Sequence, residues 1–566
     1  MKYSDYLANY LKKSGYEYCF YLSGGNIMHL QNSFRTNFKC IPVIHEVAGG
    51  IAAEYFNELN LKKSKAFALV TAGPGLTNIV TAIAGSFLES RELLVIGGQV
   101  KREDLSNGEL IQRGIQEIDG YNIVKNITKL SKKLTNPLRD YQLDKIVSKS
   151  FTDRKGPDYG AVISPDGNLI AYLGYDDKVQ TYQTTNLYLM DINGDNKREI
   201  KTNLDRSIAS LKWSKDGKNL FFMYDDEGNT KVALTSLYGK IKNLVDNVGG
   251  TTIGRPYGGG SYSISNNNKI VYTLTSPYHP SDIAIYNGKS MNRLTNLNYD
   301  LLNKKDLGKV EEVWYKSSVD GRDIQGWIAK PPKFDSNRKY PLIVENHGGP
   351  ISNYGARFSP EILLYSSAGY VVFYPNPRGS TSYGEEFGNL LYRNYPGDDY
   401  NDVMDGVDKM IELGYIDEDN LFVTGGSAGG IMTAWIIGKN NRFKASAVIK
   451  PVMNWISKTL VADNYFGYAH SRYEGQPWEN FNHYWSFSPI SLVGNVETPT
   501  MVMVGLDDLR TPPSEAKQLY HALKLRKVET VYVEIPGASH NISNRPSQLI
   551  TKIDHILYWF NKYLNN

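Results

Sequence analysis

The stretch Leu421-Phe-Val-Thr-Gly-Gly-Ser-Ala-Gly-Gly-Ile-Met-Thr433 decides how the C-terminal part of this chain folds. Its apolar start predicts a strand, its glycines predict a sharp turn, and residues 431–438 are compatible with a helix. Ser427 lies at the apex, between Gly425 and Gly429. This spacing suits a nucleophile elbow, because a strained turn that exposes a serine hydroxyl leaves no room for neighbouring side chains. Taken alone, the pattern also describes an ordinary glycine-rich strand-to-helix turn.

Length and composition are those of a soluble protein with several domains. The chain has 566 residues, of which 41% are hydrophobic and 22% charged. Its net charge is +4 and the basic residues are dispersed, so we expect neither nucleic acid nor a membrane as a partner. The two cysteines, Cys19 and Cys40, exclude a disulfide framework and predict a cytoplasmic location. Residues 66–88 are uncharged, but their central Gly-Pro-Gly predicts a strand, a loop and a helix rather than a membrane span.

Residues 1–157 alternate predicted helices and strands, which is typical of an α/β domain with a parallel sheet. Five motifs in this segment resemble the pyrimidine-binding domain of acetolactate-synthase-like thiamine-diphosphate enzymes. They are Ser23-Gly-Gly-Asn26, His45-Glu46, Thr71-Ala-Gly-Pro-Gly-Leu-Thr-Asn78, Gly98-Gln99 and Gln116-Glu117. The resemblance implies that Glu46 bonds the pyrimidine ring of the cofactor and helps to form its reactive ylid. A zinc site at His45 is not expected, because Gly49 stands where a second histidine ligand would be needed.

The resemblance does not extend to the part of such enzymes that holds the diphosphate. That family uses a divalent metal bound by a Gly-Asp-Gly motif and a later Asn in a second domain, and the sequence has no strand-bound signature of this kind. Gly194-Asp195-Asn196 is typical of a hairpin turn, and Gly397-Asp398-Asp399 lies in a different predicted domain. We therefore expect that neither thiamine diphosphate nor magnesium is bound and that Glu46 has no cofactor to act on.

Residues 158–310 are predicted to form a partial β-propeller. Turn signals recur at the period of propeller blades, about 40–50 residues, and they are Ser164-Pro-Asp-Gly167, Trp213-Ser-Lys-Asp-Gly217 and Ser265-Asn-Asn-Asn268. The segment has room for three or so blades, whereas closed propellers have about four to eight. Asp191-Ile-Asn-Gly-Asp195 has some likeness to a calcium loop, but Asn196 replaces the required glycine and Thr202 the closing glutamate. A hairpin turn is the better interpretation.

Residues 311–566 return to an α/β pattern and predict an α/β-hydrolase domain. After the nucleophile strand, two further apolar strands end in Asp507-Asp508 and in Gly537-Ala-Ser-His540. Loops at the carboxyl ends of strands carry the chemistry of open parallel sheets, and the order Ser, Asp, His is that of the α/β-hydrolases. Of the nine histidines, His540 is the one that follows a strand near the C-terminus, where this order places the base.

Combined motifs make this part resemble the acylaminoacyl-peptidase branch of the prolyl oligopeptidase family, from about residue 158 to the end. They are Gly425-Gly-Ser-Ala-Gly-Gly430, Asn376-Pro-Arg-Gly-Ser-Thr-Ser-Tyr-Gly384, His347-Gly-Gly-Pro350, Asp508-Leu-Arg-Thr-Pro512 and Pro536-Gly-Ala-Ser-His540. The resemblance implies peptide substrates and acyl transfer by Ser427 and His540, without a cofactor. Asp508 matches the acid of the family because Arg510 and Pro512 follow it in register, and Asp507 is the alternative.

The oxyanion of such a reaction needs two backbone N–H donors. The elbow geometry assigns one to Ala428, and the His-Gly-Gly-Pro turn assigns the other to Gly349. A plain βα turn is the alternative interpretation of that second motif. The sequence does not determine the substrate specificity, because an aromatic insertion is compatible either with a pocket for a substrate side chain or with core packing. Its members are Trp455, Tyr465, Phe466 and Trp478.

The overall organisation predicts a fusion joint at 157/158. The first partner lacks its last strand and its diphosphate domain, and the second lacks its early blades, so a natural gene fusion and an artefact of reconstruction both stay open. The favoured function is a serine peptidase of the prolyl oligopeptidase type. A thiamine-diphosphate-dependent lyase or carboligase subunit that needs its missing domain in trans, and a non-catalytic interaction protein, are the alternatives. Whether the chain forms a homo-oligomer is left open.

Overall fold

The computed structural model describes residues 2–59, 64–89, 91–99, 117–134, 137–138, 152, 154–465, 467 and 471–564. Gln116 and Phe466, both named above, lie outside this range. Internal contacts divide the chain into two compact units, Met1–Ser150 and Phe151–Asn566. This boundary lies shortly before the predicted joint at 157/158, because Arg154 already pairs with Asp158 and stacks on Tyr188 inside the second unit.

The N-terminal unit contains a four-stranded parallel sheet in the order β2-β1-β3-β4, as the alternating pattern predicts. The strands are β1 (Tyr16–Tyr21), β2 (Lys39–Pro42), β3 (Lys65–Val70) and β4 (Leu94–Gly97). The α-helices are Tyr3–Lys13, Met28–Arg35, Glu46–Leu59, Pro74–Asn78, Val80–Leu88 and Gly120–Val124. Strand β3 is buried along almost its whole length, which explains why its sequence, Lys-Ala-Phe-Ala-Leu-Val, is a continuous apolar run after one lysine.

The second unit begins with the predicted partial β-propeller, whose strands within the described residues form three antiparallel blades of four strands each. The first blade is a sheet of its own, and the second and third are joined into one eight-stranded sheet by the pairing of Val248 with Leu274. The first blade is β5 (Asp158–Ile163), β6 (Leu169–Gly174), β7 (Asn186–Asp191) and β8 (Arg198–Glu199). The second is β9 (Ala209–Trp213), β10 (Asn219–Asp226), β11 (Asn229–Ser236) and β12 (Ile241–Val248). The third is β13 (Tyr262–Ile264), β14 (Ile270–Ser276), β15 (His279–Tyr286) and β16 (Met291–Arg293). A short helix, Tyr299–Leu302, follows the third blade.

Each repeated turn signal closes the hairpin between the first two strands of a blade. The hydroxyl of Ser164 donates to Asp166, and Ser214 makes the same bond to Asp216 and Ser265 to Asn267. The repeat in the sequence is therefore a repeat of one turn structure. Asp191 lies in the β7–β8 hairpin, where its Oδ1 accepts the backbone N–H groups of Asn193 and Asp195, as the hairpin interpretation predicts.

The rest of the second unit is an eight-stranded sheet in the order β17-β18-β20-β19-β21-β22-β23-β24. The strands are β17 (Val310–Lys316), β18 (Asp323–Ala329), β19 (Tyr340–Asn346), β20 (Val371–Asn376), β21 (Ile416–Gly426), β22 (Ala445–Ile449), β23 (Thr500–Gly505) and β24 (Thr530–Ile535). The pairs β17–β18 and β18–β20 are antiparallel, and all later pairs are parallel. An α/β-hydrolase sheet is thus present, and β19, β21, β22 and β23 are buried by two apolar cores.

Helices cover this sheet and position its loops. They are Pro360–Ser367, Glu385–Asn389, Asp399–Glu412, Ala428–Lys439, Trp455–Val461, Phe481–Ser486, Pro513–Leu525 and Pro546–Tyr563. Parallel strands send their carboxyl ends to one edge of the sheet. The loops that follow β19, β21, β23 and β24 therefore meet there, and each of them carries a residue that the sequence singled out.

Candidate active site

Ser427 occupies a strained turn between strand β21 and the helix Ala428–Lys439. Its φ of 61° lies in the left-handed region, which residues other than glycine rarely adopt. The flanking glycines are required by close packing: a Cβ at Gly425 would lie 2.4 Å from the carbonyl oxygen of Gly429, and one at Gly429 would lie 2.0 Å from that of Asn346. The predicted nucleophile elbow is therefore present as a structure.

The structure brings Ser427, His540 and Asp508 together in one line. His540 Nε2 lies 3.1 Å from Ser427 Oγ, and His540 Nδ1 lies 2.8 Å from Asp508 Oδ2. Because a carboxylate can only accept, the proton of the neutral ring belongs on Nδ1, and Nε2 is left to accept the serine proton. Asp507 points elsewhere: its side chain is exposed, whereas Asp508 is 1% exposed.

Asp508 is held as a carboxylate by several donors. Its Oδ1 accepts the backbone N–H groups of Arg510 and Thr511, both at 2.9 Å, and its Oδ2 accepts the Thr511 hydroxyl at 2.9 Å. Burial raises the pKa of Asp508, but the hydrogen bond from His540 and those from Thr511 outweigh it, so the net pKa lies below its ordinary value. For His540, burial lowers the pKa below its ordinary value despite the opposing effect of Asp508.

Two residues of this site carried no sequence signal of their own. Thr511 buttresses Asp508, and it was visible only as part of the Asp508–Pro512 motif. Lys450 follows strand β22, and its Nζ donates to the backbone carbonyl of His540. Burial first, then the neighbouring Arg255 and Lys552, lower the pKa of Lys450 to about 7. A lysine directly after the buried apolar strand Ala445–Ile449 is the feature that sequence reasoning missed.

The His-Gly-Gly-Pro turn lies beside the elbow. A Cβ at Gly348 would lie only 3.4 Å from Ser427 Cβ. Gly349, the predicted oxyanion donor, is exposed, and Ala428 begins the helix that follows Ser427. Backbone N–H groups at the first turn of a helix lack an intrahelical partner, so Ala428 is free to donate outward. The places of both predicted donors fit the oxyanion interpretation, and their role stays a prediction.

The aromatic insertion divides between core and surface. Trp455 is fully buried in the cluster that contains Ala428, where its ring lies 5.2 Å from that of Tyr473. Tyr465 and Trp478 are 55% and 71% exposed. Core packing therefore explains Trp455. Of the described members of the insertion, Tyr465 and Trp478 are the two whose exposure is compatible with contact to a substrate.

In the N-terminal unit, Glu46 begins a helix and is 5% exposed. Its Oε2 accepts the side-chain amide of Asn78 at 3.0 Å, which joins two of the motifs that carry the thiamine resemblance. Among the residues described by the structure, no group of three or more His, Cys, Asp or Glu side chains is placed to hold a metal ion. The carboxylate that the thiamine resemblance assigns to the pyrimidine ring is thus buried and bonded to Asn78, and its role toward a cofactor stays a prediction.

Two family models match the chain. Residues 356–566 match the prolyl oligopeptidase family. Residues 1–123 match the thiamine pyrophosphate enzyme, N-terminal TPP binding domain. The resemblances of both parts are thereby confirmed, and the chain joins a thiamine-type N-terminal domain to a peptidase-family α/β-hydrolase.

Curated relatives match more than half of the chain. The uncharacterised peptidase YuxL of Bacillus subtilis is 35% identical over 357 residues, which cover 62% of this chain and 53% of the relative. Dipeptidyl-peptidase 5 of Aspergillus fumigatus is 27% identical over 429 residues, which cover 72% of this chain and 57% of the relative. The chain therefore spans little more than half the length of these relatives.

Solved structures share the fold. The acylaminoacyl peptidase of Pyrococcus horikoshii has a TM-score of 0.63 at 24% identity, over 71% of this chain and 63% of that chain. A puromycin-hydrolyzing peptidase of Mycobacterium tuberculosis has a TM-score of 0.58 at 19% identity, over 73% of this chain and 62% of that chain.

None of the helices in the described ranges combines the length and the apolar character that a membrane crossing requires.

Proposed function

We propose that this chain is a serine peptidase that hydrolyses peptide or acylaminoacyl bonds. One observation carries the proposal: Ser427 Oγ, the His540 ring and the Asp508 carboxylate form a continuous chain of contacts of 3.1 and 2.8 Å. A serine hydroxyl needs such a base to become a nucleophile near neutral pH. The peptidase names of the relatives support the same reaction class.

The reaction follows from which atom each residue presents. Ser427 Oγ attacks the scissile carbonyl while His540 Nε2 takes its proton, and the imidazolium then gives that proton to the leaving amine. Asp508 keeps the ring oriented through Nδ1 and stabilises its charged form. The N–H groups of Ala428 and Gly349 donate hydrogen bonds to the developing oxyanion, and the loss of one such donor typically costs about 3 kcal/mol in the barrier. Water then releases the acyl group by the same route.

A fluorophosphonate probe tests the nucleophile directly. We expect it to label Ser427, and we expect Ser427→Ala or His540→Ala to lower kcat on aminoacyl-arylamide or acyl-peptide substrates by roughly 10^6-fold, because nucleophile and base act as one unit. Ser543→Ala is a control in the loop of His540, since its hydroxyl bonds only to Asn541 in the described contacts. Labelling at another serine, or full turnover in Ser427→Ala, contradicts the proposal. Peptide binding without turnover would instead support a non-catalytic interaction protein.

A further inference from the structure

A propeller loop enters the hydrolase part of the second unit. The segment Gly254-Arg-Pro-Tyr257, here called the clamp segment, lies between strands β12 and β13 and thus between the second and third blades. It contacts the end of strand β19 and the His347–Pro350 turn. That turn carries Gly349, one of the two proposed oxyanion donors.

Tyr257 is the residue of the clamp segment that touches this turn. Its hydroxyl oxygen accepts the backbone N–H of Gly348 at 2.6 Å. The same glycine lies close to both residues, because a Cβ added to it would lie 2.9 Å from the Tyr257 oxygen and 3.4 Å from Ser427 Cβ. A propeller tyrosine and the nucleophile therefore both lie next to Gly348.

His347 contacts the carbonyl group of Gly348. Its Nδ1 lies 2.8 Å from the carbonyl oxygen of Gly348 and donates to it, while Nε2 lies 2.9 Å from Ser380 Oγ. Burial and then the positive charge of Arg255 lower the pKa of His347 to about 4, so the ring is neutral at pH 7. In a trans peptide the carbonyl and the following N–H point in opposite directions. The bond to the Gly348 carbonyl therefore aims the N–H of Gly349 away from His347.

The clamp segment is itself firmly anchored to the hydrolase part. Arg255 Nε lies 2.7 Å from Glu345 Oε1, two residues before His347, and both side chains are buried. The carbonyl of Pro256 accepts the N–H of Gly355 at 3.1 Å, and the ring of Tyr257 lies 5.0 Å from that of Tyr354. Ser359 donates to the carbonyl of Gly254 at 2.5 Å. Because these contacts hold the clamp segment in place, the Tyr257 hydroxyl has a fixed position against the N–H of Gly348.

We propose that Tyr257 is a positioning residue for the oxyanion donor Gly349. Its hydroxyl fixes the His347–Gly348 peptide, and the His347 ring fixes the next peptide, so the Gly349 N–H is held ready before substrate arrives. The proposal rests on the proposed peptidase function. It gives the partial propeller a part in the chemistry, because the residue comes from a propeller loop and not from the hydrolase sheet.

Tyr257→Phe removes the acceptor and leaves the aromatic ring in place. We expect kcat on an aminoacyl-arylamide to fall about 10–100-fold with KM changed less than threefold, because a misplaced donor costs less than the 10^2–10^3-fold of a deleted one. A peptidyl trifluoromethyl ketone, which adds to Ser427 as an oxyanion, should lose affinity in proportion. The corresponding trifluoromethyl carbinol is uncharged and cannot add Ser427, so it forms no oxyanion and its Ki should stay unchanged.

Tyr262→Phe is the matched control. Tyr262 is also a buried propeller tyrosine, and its hydroxyl donates to the carbonyl of Ser210 at 2.6 Å, within the propeller. It should keep wild-type kcat, although it loses a comparable hydrogen bond. Wild-type kcat and ketone affinity in Tyr257→Phe, or equal losses for the ketone and the carbinol, would overturn the proposal. Turnover that survives Ser427→Ala would instead refute the peptidase function itself, so the two failures are distinguishable.

Discussion

At the scale of single residues, adjacent aspartates differ in one property that decides their roles. Asp508 is buried against His540 and accepts three hydrogen bonds from Arg510 and Thr511, while the Asp507 side chain is exposed. We expect Asp508→Asn to lower kcat by about 10^4-fold, because an amide favours the wrong tautomer of the imidazole. Asp507→Asn is the matched control and should stay within about threefold. Steady-state kinetics of both variants decide between them, and greater damage from Asp507→Asn would reverse the assignment.

The protonation of His540 sets the acid side of the pH profile. The base works only as neutral imidazole, and burial lowers its pKa below the ordinary 6.5. A lowered pKa keeps the ring neutral to lower pH, so the midpoint of the acid limb of kcat/KM should lie below pH 6.5. His347 does not interfere in this range, because its pKa is about 4. The measurement is kcat/KM from pH 4.5 to 8 with an uncharged acyl substrate, and a midpoint at or above 6.5 would contradict the expectation.

At the scale of elements, the strand–turn–helix around Ser427 depends on backbone contact. A Cβ at Gly429, in the first turn of the helix Ala428–Lys439, would lie 2.0 Å from the carbonyl oxygen of Asn346, which ends the buried strand β19. We expect Gly429→Ala to lower the free energy of unfolding by about 1–3 kcal/mol and to reduce activity strongly. Urea denaturation followed by tryptophan fluorescence measures the first effect.

Gly494→Ala provides the comparison, because an added Cβ there meets nothing within 4 Å. It should change the free energy of unfolding by less than about 0.5 kcal/mol, as ordinary surface substitutions do. Equal stability of the two variants would show that the contact at Gly429 is easily relieved. Comparing the unfolding free energies of Gly429→Ala and Gly494→Ala therefore distinguishes the steric effect at the elbow from a general effect of replacing glycine by alanine.

Local patterns predicted most elements and the order of the three reactive side chains. The strands β23 and β24 end directly before the loops of Asp508 and His540, as the sequence predicts, because each strand is set by its own apolar run and its flanking turn residues. The bonds of Arg255 to Glu345 and of Tyr257 to Gly348 were not predicted. Their partners lie some 90 residues away in the chain, and periodicity within one segment carries no information on such pairing.

At the scale of the whole molecule, the propeller has three blades in the described residues, fewer than the about four to eight of closed propellers. In the family that this part resembles, a complete propeller covers the active site and restricts access to short peptides. An incomplete cover should be a poorer gate, so we expect measurable cleavage of long unstructured polypeptides such as reduced casein. Mass spectrometry of the products, with Ser427→Ala as the blank, measures it. Strict confinement to short peptides would indicate that another part completes the cover.

The N-terminal unit matches the N-terminal domain of thiamine enzymes. Its described residues include the predicted pyrimidine-binding residue but no cluster of metal ligands for the diphosphate. Glu46 and Asn78 form the pyrimidine side, and no carboxylate cluster for a metal accompanies them there. The metal is what neutralises the two phosphates, so most of the binding energy is missing without it. We therefore predict no binding of thiamine diphosphate at micromolar concentrations with magnesium, and no decarboxylation of pyruvate. Calorimetric titration of the full chain tests this, with Glu46→Gln as the matched variant. Tight, magnesium-dependent binding that this variant loses would overturn the prediction and favour a carboligase subunit, because a pyrimidine bond alone does not depend on magnesium.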